Sequence, residues 1–240
     1  MDAEIIAVGS ELLTPQHTDT NSLFLTERLN SLGVLVRFKT IVGDSREDLA
    51  RVLRAALERS PLIVLIGGLG PTDDDLTRDV VAEVLGRSLR EDAELRRRIE
   101  TRFARLGRTM PDNNLRQARV PEGGEWLENR NGTAPGIWIK HNDNILVLLP
   151  GPPRELEPMF DATCLPRLER VASGERIKTR VYKVLGRSVQ ISTAAGLKPS
   201  ITISSSRGSK MVRYTSRRAD NTVRTCLRVA SIVTARVWRR

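Results

Sequence analysis

The alternation of apolar runs with amphipathic helical patterns over the first 66 residues constrains the fold of this chain most strongly. Strands and helices are predicted in turn at Ala3–Val8, Asn21–Leu32, Val34–Val42, Arg46–Arg59 and Leu62–Ile66. The last of these runs is continuously apolar, which is typical of a strand buried on both faces of a parallel sheet. Strands joined by helices pair in parallel through right-handed crossovers. The sequence therefore predicts an α/β fold with a mostly parallel sheet.

The same kind of patterning continues to about residue 172, where we place the end of the first domain. Further helices and strands are predicted at Leu76–Leu85, Ala93–Leu106, a short stretch near Trp126, Gly136–Lys140, Ile145–Leu149 and Pro153–Arg170. The chain has 240 residues, of which 40% are hydrophobic, and this is enough for one sizeable core.

The formal charge of +10 comes from the end of the chain. Of the 39 Lys and Arg residues, 15 lie from Ile177 onward beside a single acid, Asp220, which leaves 24 bases against 28 of the 29 acids in residues 1–176. The first part of the chain is therefore slightly acidic. This distribution does not support a domain-wide nucleic-acid footprint, and we expect no nucleic-acid partner.

Neither export nor membrane insertion is predicted. No stretch approaches the roughly 20 continuous apolar residues of a membrane span, and the acidic start Met1–Glu4 is unlike the basic start of a signal peptide. Cys164 and Cys226 lie far apart without Cys or His ligand spacing, which fits a reducing compartment. We expect a cytoplasmic protein with no membrane partner.

The most informative loop runs from Gly67 to Thr77. It follows the predicted strand Leu62–Ile66 and opens a helix, so its backbone amides and the positive end of the helix dipole meet at the carboxyl edge of the sheet. Three glycines in this loop allow the chain to approach a phosphate closely. The spacing is neither the Rossmann fingerprint nor a P-loop, because no lysine follows. The loop therefore predicts an anion site of another class.

Three consecutive acids, Asp73, Asp74 and Asp75, follow these glycines. Thr72 with Asp75 has the spacing of a capping box, and an aspartate in a first helical turn is favoured by the helix dipole. Three carboxylates exceed what one cap requires, and beside an anion site they would repel the ligand unless a cation lay between them. The pattern thus favours a hard metal ion such as Mg²⁺, which suits carboxylate and phosphate oxygens.

A further acid, Asp44, follows the second predicted strand. It has the spacing of a helix N-cap, with Glu47 three residues on. The ends of parallel strands share one edge, however, so Asp44 is also expected to face Asp75 across the site. Two separated carboxylates can divide metal binding and base catalysis between them.

Three other polar segments are weaker candidates. Thr18–Asn21 has the character of a helix start, Asn129–Gly136 is dense in turn residues, and Leu149–Pro153 follows a buried strand and either shapes a ligand wall or ends that strand. His17 and His141 have no partner spacing, and no role is assigned to them.

Together these loops resemble the N-terminal domain of CinA (competence/damage-inducible) proteins over about residues 3–185. The segments that carry the resemblance are Ile5–Leu13, Asp19–Asn21, Val42–Asp44, Gly67–Thr77, Asn113–Asn114 with Gln117–Ala118, Asn131–Gly136 and Leu149–Pro153 with Glu155. The resemblance implies a three-layer α/β/α sandwich of the MoaB/Mog-like, molybdopterin-binding class that forms homo-oligomers.

The resemblance also implies roles for individual residues. Asp75 and Asp44 match two active-site aspartates of the molybdopterin enzymes in that superfamily, with Thr77 completing the element. From the run of acids itself, Asp74 is expected to support them as a third metal ligand. Leu69 replaces a central threonine, as is usual in the CinA branch. The implied ligand-binding residues are Gly9, Asp19, Asn21, Gly67, Gly68, Leu69, Gly70, Pro71, Thr72, Thr77, Asn131, Gly132, Pro150, Gly151 and Pro152.

Residues 173–240 depart from the family pattern. They occupy the place of a small α/β linker domain, but the likeness is lost after about residue 186, where the segment is rich in Ser and Thr and almost free of acids. A basic tail of this kind indicates disorder or polyanion binding. The abrupt loss of pattern also suggests a shifted reading frame. A C-terminal amidohydrolase domain, as in full-length CinA proteins, does not fit in the remaining length, so no deamidase activity is expected.

The CinA branch is associated with metal-dependent hydrolysis of the pyrophosphate in ADP-ribose. We therefore predict a hydrolase of a nucleotide-sugar pyrophosphate that uses Mg²⁺, Mn²⁺ or Co²⁺. One alternative is a molybdopterin-binding protein or molybdenum-cofactor biosynthesis enzyme, and another is a non-catalytic CinA-like binding module. In each case the partner is a small phosphorylated nucleotide or pterin. A nucleic-acid-binding protein acting through the basic tail is a further class, supported by no motif.

Overall fold

The computed structural model describes residues 1–172 and, beyond them, the strand segments 178–182, 200–206, 209–218, 221–230 and 232–237. The chain divides into two units. The first comprises Met1–Leu29 and Val34–Ala172, and the second comprises Asn30–Gly33 and Ser173–Arg240.

The first unit alternates strands and helices largely where the sequence predicts them. Its strands are β1 (Asp2–Val8), β2 (Leu35–Val42), β3 (Leu62–Ile66), β4 (Leu89–Glu91), β5 (Arg119–Pro121), β6 (Gly124–Leu127), β7 (Gly136–His141) and β8 (Asn144–Leu149). Its α-helices are α1 (Asn21–Ser31), α2 (Arg46–Arg59), α3 (Thr77–Val84), α4 (Ala93–Arg105), α5 (Pro153–Met159) and α6 (Leu165–Val171).

Six strands form the main sheet in the order β2-β1-β3-β8-β7-β6. The first four run parallel to one another, while β7 pairs antiparallel with both β8 and β6. The predicted α/β class with a mostly parallel sheet is therefore confirmed. A separate antiparallel ribbon of β4 and β5 was not predicted, because strands of three residues are too short to show an alternating pattern.

Helices cover both faces of the main sheet. Ile63 and Leu65 of β3 belong to a core cluster that also takes buried residues from α2, α3 and α4. Val64 lies between them and is fully buried, and it points to the opposite face because successive strand residues alternate. Outside that cluster, Phe24 of α1 meets Phe160 edge to face, with ring centroids 6.3 Å apart. The expected three-layer arrangement is confirmed.

The last predicted helix of the first unit, Pro153–Arg170, is not one regular helix. The structure has α5 and α6 joined by one turn of π-helix at Phe160–Cys164, and Pro158 lies inside α5. A proline in a helix lacks the N–H that would bond the carbonyl four residues earlier. Among the described residues, no helix is long and apolar enough to cross a membrane.

The described residues of the second unit form five strands, with the order β10-β11-β12-β13-β9 and antiparallel pairing. The bounds are β9 (Lys178–Tyr182), β10 (Ser200–Ser206), β11 (Ser209–Arg218), β12 (Asn221–Ala230) and β13 (Ile232–Val237). Four of these strands lie in the segment for which the sequence indicates disorder or a shifted reading frame. That hypothesis, and the assignment of residues 173–240 as the remnant of a linker domain, stay predictions.

Candidate functional site

Four loops meet at the edge of the sheet where the parallel strands end. The register pairs Val8 of β1 with Val42 of β2, and Ile66 of β3 with Leu149 of β8, so these strands finish level with one another. The amide of Gly9 donates to the Val42 carbonyl at 3.0 Å, and the amide of Gly67 donates to the Leu149 carbonyl at 2.9 Å. The polar loop residues after each strand therefore share this edge, which we call the edge site.

The glycines of the Gly67–Thr77 loop are required first by packing within the chain. Gly67 and Gly68 have φ values of +90° and +67°, which favour glycine. A Cβ on Gly67 would overlap the carbonyl oxygen of Val8, and one on Gly68 would overlap the hydroxyl of Thr77. The carbonyl of Gly68 in turn accepts a hydrogen bond from the amide of Thr77 at 3.1 Å. The loop is thus folded tightly against β1 and the start of α3.

This close folding leaves three consecutive amides unused. Within the described residues, the backbone N–H groups of Gly68, Leu69 and Gly70 donate to no protein acceptor. The side chain of Leu69 lies in the hydrophobic core, only 2% exposed, so this residue offers its backbone and not its side chain to a ligand. Adjacent amides without acceptors form a small concave surface that suits an anion.

Asp75 closes the next turn of the loop. Its Oδ2 atom accepts hydrogen bonds from the amide of Thr72 at 2.9 Å and from the Thr72 hydroxyl at 2.5 Å. The helix α3 begins only at Thr77, with Leu76 at its N-cap position and no side-chain cap. The predicted pairing of Thr72 with Asp75 is therefore present, but the interpretation as a helix capping box is wrong, because the turn precedes the helix.

Arg78 is a buried cation next to this loop that sequence reasoning missed. Among the residues whose burial the structure describes, it is the largest fully buried side chain, 1% exposed, and its Nη2 donates to the Leu69 carbonyl at 2.8 Å. Burial lowers the pKa of its guanidinium to about 10, against the opposing effects of Asp79 and Asp75. Arg78 is therefore still positively charged at neutral pH. A buried cation therefore contacts the loop that carries the free amides.

Arg116 accounts for part of the surplus acidity in the loop. It comes from a 3₁₀ helix at Asp112–Ala118 and donates to the carboxylates of Asp73 at 2.8 Å and Asp79 at 3.1 Å, and to the carbonyl of Thr72 at 3.0 Å. Asp73 is not among the predicted metal ligands, and the cation beside its carboxylate is the guanidinium of Arg116. The carboxylate of Asp74 is exposed and has no partner among the described residues.

Asp44 ties two loops of the edge together. Its Oδ2 accepts from the amide of Ser10 at 2.9 Å, and its own amide donates to the Ser10 hydroxyl at 3.0 Å. The N-cap of α2 is Ser45, whose side chain accepts from the amide of Asp48 at 3.3 Å. The interpretation of Asp44 as an N-cap is therefore wrong. Its carboxylate lies at the edge site instead.

The two predicted catalytic carboxylates stand on either side of β1. Since β1 lies between β2 and β3, the loops that carry Asp44 and Asp75 are about two strand spacings, or about 10 Å, apart. Within residues 1–172 and the described strands after them, no group of three or more His, Cys, Asp or Glu side chains could hold a metal ion. Asp44, Asp74 and Asp75 would therefore fit Mg²⁺ only together with oxygens of a ligand.

The predicted ligand residues Asn131 and Gly132 also lie at this edge, because the start of β7 pairs with the end of β8. Their turn is held by Asn129, whose Oδ1 accepts from the amides of Asn131 at 3.0 Å and Gly132 at 2.7 Å. The Nδ2 of Asn129 donates to the largely buried carboxylate of Glu155 at 2.8 Å. Glu155 therefore positions this turn through Asn129.

A second hydrogen bond that holds the same turn depends on Pro158. Because Pro158 has no N–H, the carbonyl of Arg154 four residues earlier has no helical partner. Asn131 Nδ2 donates to that carbonyl at 2.7 Å. The irregularity of α5 thus supplies the acceptor that fixes Asn131.

The remaining predicted residues are placed as follows. Asp19 accepts from the amide of Ser22 at 2.9 Å, which agrees with its interpretation as a helix start. Asn21 donates to the carbonyl of Gly151 at 2.6 Å and so joins the first helix to the Pro150–Pro152 loop. Gly9, Gly70, Pro71 and Pro150–Pro152 lie in the loops that follow β1, β3 and β8.

Comparison with known proteins adds independent findings. The sequence profile of a family described as a probable molybdopterin binding domain matches residues 4–170. A CinA-like protein from Solibacter usitatus is 50% identical over 186 residues, which are 78% of this chain and 45% of that protein. A CinA-like protein from Acidobacterium capsulatum is 52% identical over 187 residues, covering 76% and 45% respectively. The chain thus spans less than half the length of these relatives.

A solved structure agrees with the sequence matches. The crystal structure of the protein CinA from Thermoplasma acidophilum is 34% identical to this chain, with a TM-score of 0.63. The match covers 67% of this chain and 94% of that one.

Proposed function

Because this chain belongs to the family of probable molybdopterin binding domains, in its CinA-like branch, we propose that residues 1–172 bind a phosphorylated pterin at the edge site. The likeness to CinA N-terminal domains that the sequence motifs indicate is thereby confirmed. In this proposal the phosphate of the ligand lies on the Gly68–Gly70 amides, and the turn at Asn131 and Gly132 contacts the rest of the molecule.

The observation that carries the proposal is the set of free amides next to a buried cation. Three N–H groups without an acceptor, at Gly68, Leu69 and Gly70, belong to the same loop segment whose Leu69 carbonyl accepts a hydrogen bond from the guanidinium of Arg78. A charge with little surrounding water acts on an anion more strongly than an exposed charge does. The site therefore offers both directional donors and a positive potential to a phosphate.

Unpartnered buried atoms point to the same place. Within the described residues, Asn21 Oδ1, Thr77 Oγ1 and Arg78 Nε are buried without a hydrogen-bond partner, and all three belong to residues of this edge. Buried polar groups in folded proteins nearly always have a partner, from the protein, water or a ligand. A bound ligand with its ordered water would complete these contacts.

Anaerobic calorimetry with molybdopterin, and in parallel with ADP-ribose, tests the proposal. Wild-type protein is expected to bind molybdopterin, and Gly68→Ala is expected to lose this binding because the added methyl moves the loop. Gly86→Ala is the matched control, since Gly86 has a similar φ of +64° and an added Cβ meets no atom within 4 Å. No heat of binding from wild-type protein, or equal binding by both variants, would overturn the proposal.

A second candidate function is hydrolysis of the pyrophosphate in ADP-ribose, as the CinA resemblance implies. It is favoured by the free carboxylate of Asp74 and by Asp44 and Asp75 on either side of β1. A divalent ion held between such carboxylates and phosphate oxygens would polarise the phosphate and lower the pKa of a bound water. The protein's own part would be to hold the two phosphates on the amides and to keep Asp44 fixed by Ser10.

Release of AMP from ADP-ribose, measured separately with Mg²⁺, Mn²⁺ and Co²⁺, tests this second candidate. Asp75→Asn is expected to abolish the release, whereas Asp73→Asn, which alters the neighbouring carboxylate paired with Arg116, is expected to retain it. Wild-type protein that is inert with all three ions would rule out hydrolysis. Molybdopterin binding without turnover would leave the first proposal standing alone.

A further inference from the structure

A second concave surface lies between α4 and the segment Trp126–Pro135, and we call it the α4 groove. Its volume is about 690 Å³, within the range of small-molecule pockets. Five arginines line it, namely Arg97, Arg98, Arg102, Arg105 and Arg130. The ligand binding proposed for the edge site does not use these arginines.

The arginines reach the groove because of their spacing on α4. Glu94, Arg98, Arg102 and Arg105 lie at i, i+4, i+8 and i+11, which places them on one face of a helix. Leu95 and Ile99 lie on the neighbouring face of α4, where they are buried against the core and also line the groove. The helix thus turns a basic stripe away from the core and toward the groove.

The charges of the groove are only partly balanced. Its two acids, Glu94 and Glu128, both pair with Arg98 at 3.1 Å. Arg102 donates to the neutral carbonyl of Arg130 at 2.9 Å, and Arg105 has no ion pair or hydrogen bond among the described residues. At least two guanidinium groups therefore face the groove without an acid to neutralise them.

An aromatic ring forms part of the wall. The guanidinium of Arg98 lies 4.9 Å from the centroid of the Trp126 ring. An arginine held beside a tryptophan ring and by two glutamates is preorganised, and arginine forks match phosphate oxygens well. The groove therefore combines a guanidinium held by acids, guanidinium groups without an acid partner, and an indole whose fluorescence would change when an anion binds nearby.

We propose that the α4 groove is a second anion site, which takes a phosphate-bearing small molecule on Arg102 and Arg105. Its volume of about 690 Å³ matches a small molecule and is too small for a long segment of an acidic polymer. The groove shares Asn129 and Gly132 with the turn of the edge site. A ligand in the groove would therefore contact the same segment that positions Asn131.

Calorimetric titration of the full chain with inorganic pyrophosphate at low salt tests the proposal. Two classes of binding site are expected, because the edge site also accepts phosphate. Arg105→Gln and Arg102→Gln are each expected to weaken one class by about tenfold, since each removes a charged hydrogen-bond donor. Gly68→Ala is expected to remove the other class only, which separates failure of this proposal from failure of the edge site.

The matched control is Arg54→Gln. Arg54 is an exposed arginine on α2 that has no acid partner in the described part of the chain, so the variant removes the same charge far along the chain from the groove. Equal weakening by Arg54→Gln and Arg105→Gln would show that only net charge matters and would overturn the proposal. A single class of site that Gly68→Ala abolishes would also overturn it, as would binding of poly-glutamate in place of pyrophosphate.

Trp126 supplies a local readout that does not depend on the fitted number of sites. Pyrophosphate that draws Arg98 or Arg102 toward it is expected to change the tryptophan emission, and Trp126→Phe is expected to remove that change while calorimetric binding persists. An emission change that survives in Trp126→Phe would place the bound anion elsewhere.

Discussion

Gly68→Ala is expected to destabilise the protein more than Gly86→Ala, although the two glycines have nearly the same backbone conformation. Their φ values are +67° and +64°, a left-handed conformation that costs an alanine about 1–2 kcal/mol. At Gly86 an added Cβ meets no atom within 4 Å. At Gly68 it overlaps the hydroxyl of Thr77 and lies 3.1 Å from Thr77 Cβ and 3.2 Å from its amide nitrogen. The difference between the variants isolates the packing of the loop against α3.

The expected magnitudes follow from these contacts. Forcing a methyl group into a closed site costs about 1–3 kcal/mol beyond the backbone term. In a domain of this size each kcal/mol lowers the melting temperature by about 2–4 °C, so Gly68→Ala should melt about 2–12 °C below Gly86→Ala. Removing the obstructing hydroxyl with Thr77→Ala in the Gly68→Ala background should recover part of that loss.

Urea denaturation followed by circular dichroism, with thermal melts alongside, measures the difference directly. Equal slopes of the unfolding free energy against urea would show that the variants unfold from comparable folded states. Equal midpoints for Gly68→Ala and Gly86→Ala would refute the reasoning, because the close approach of Gly68 to Thr77 would then impose no constraint.

Three further predictions concern other residues of the first unit. Arg78→Met should weaken phosphate binding about tenfold. It should change the unfolding free energy by only about 1 kcal/mol, because the lost hydrogen bond offsets the relieved burial of a charge. Since the Arg78 pKa is about 10, its contribution to affinity should be constant from pH 6 to 9. Unchanged affinity in calorimetry would contradict this. Asn129→Asp places a carboxylate against Glu155. Its loss of stability relative to wild type should be about 1–2 kcal/mol larger at pH 8 than at pH 5, because protonation at the lower pH relieves the repulsion. Urea midpoints at the two pH values check this, and a pH-independent difference would count against it. Burial raises the pKa of Cys164 to about 12, so its thiol should resist iodoacetamide at pH 8 until the protein unfolds, as peptide mass spectrometry would show; labelling of the folded protein would be the opposite result.

The parallel sheet and the position of the edge site were predictable because they depend on local patterns. The apolar run Leu62–Ile66 followed by glycines is enough to place a buried strand and a loop at the carboxyl end of the sheet. The role of the glycines was only partly predictable. The sequence suggests that the glycines allow the chain to approach a phosphate closely. The structure shows that Gly67 and Gly68 are already required by contacts with Val8 and Thr77.

The electrostatics of the site were not predictable, because they depend on tertiary contacts. Arg78 looks in the sequence like an ordinary exposed charge on a helix, and only the packing of α3 against the loop buries it. In the sequence, Asp73 is one of three consecutive acids, and nothing near it shows that its partner is Arg116, 43 residues away in the 3₁₀ helix Asp112–Ala118. Ser45 and Asp44 are adjacent acceptors, and nothing in their spacing shows which one caps α2.

The most direct test of the central claim is amide chemical-shift mapping of the full chain with molybdopterin under anaerobic conditions. The account predicts that the largest shifts occur at the free amides of Gly68, Leu69 and Gly70, with smaller shifts at Asn131 and Gly132. Residues of α6, which take no part in the edge site, should be unchanged. Saturable shifts that leave the Gly68–Gly70 amides unmoved and cluster elsewhere would contradict the assignment of this loop as the phosphate-binding element.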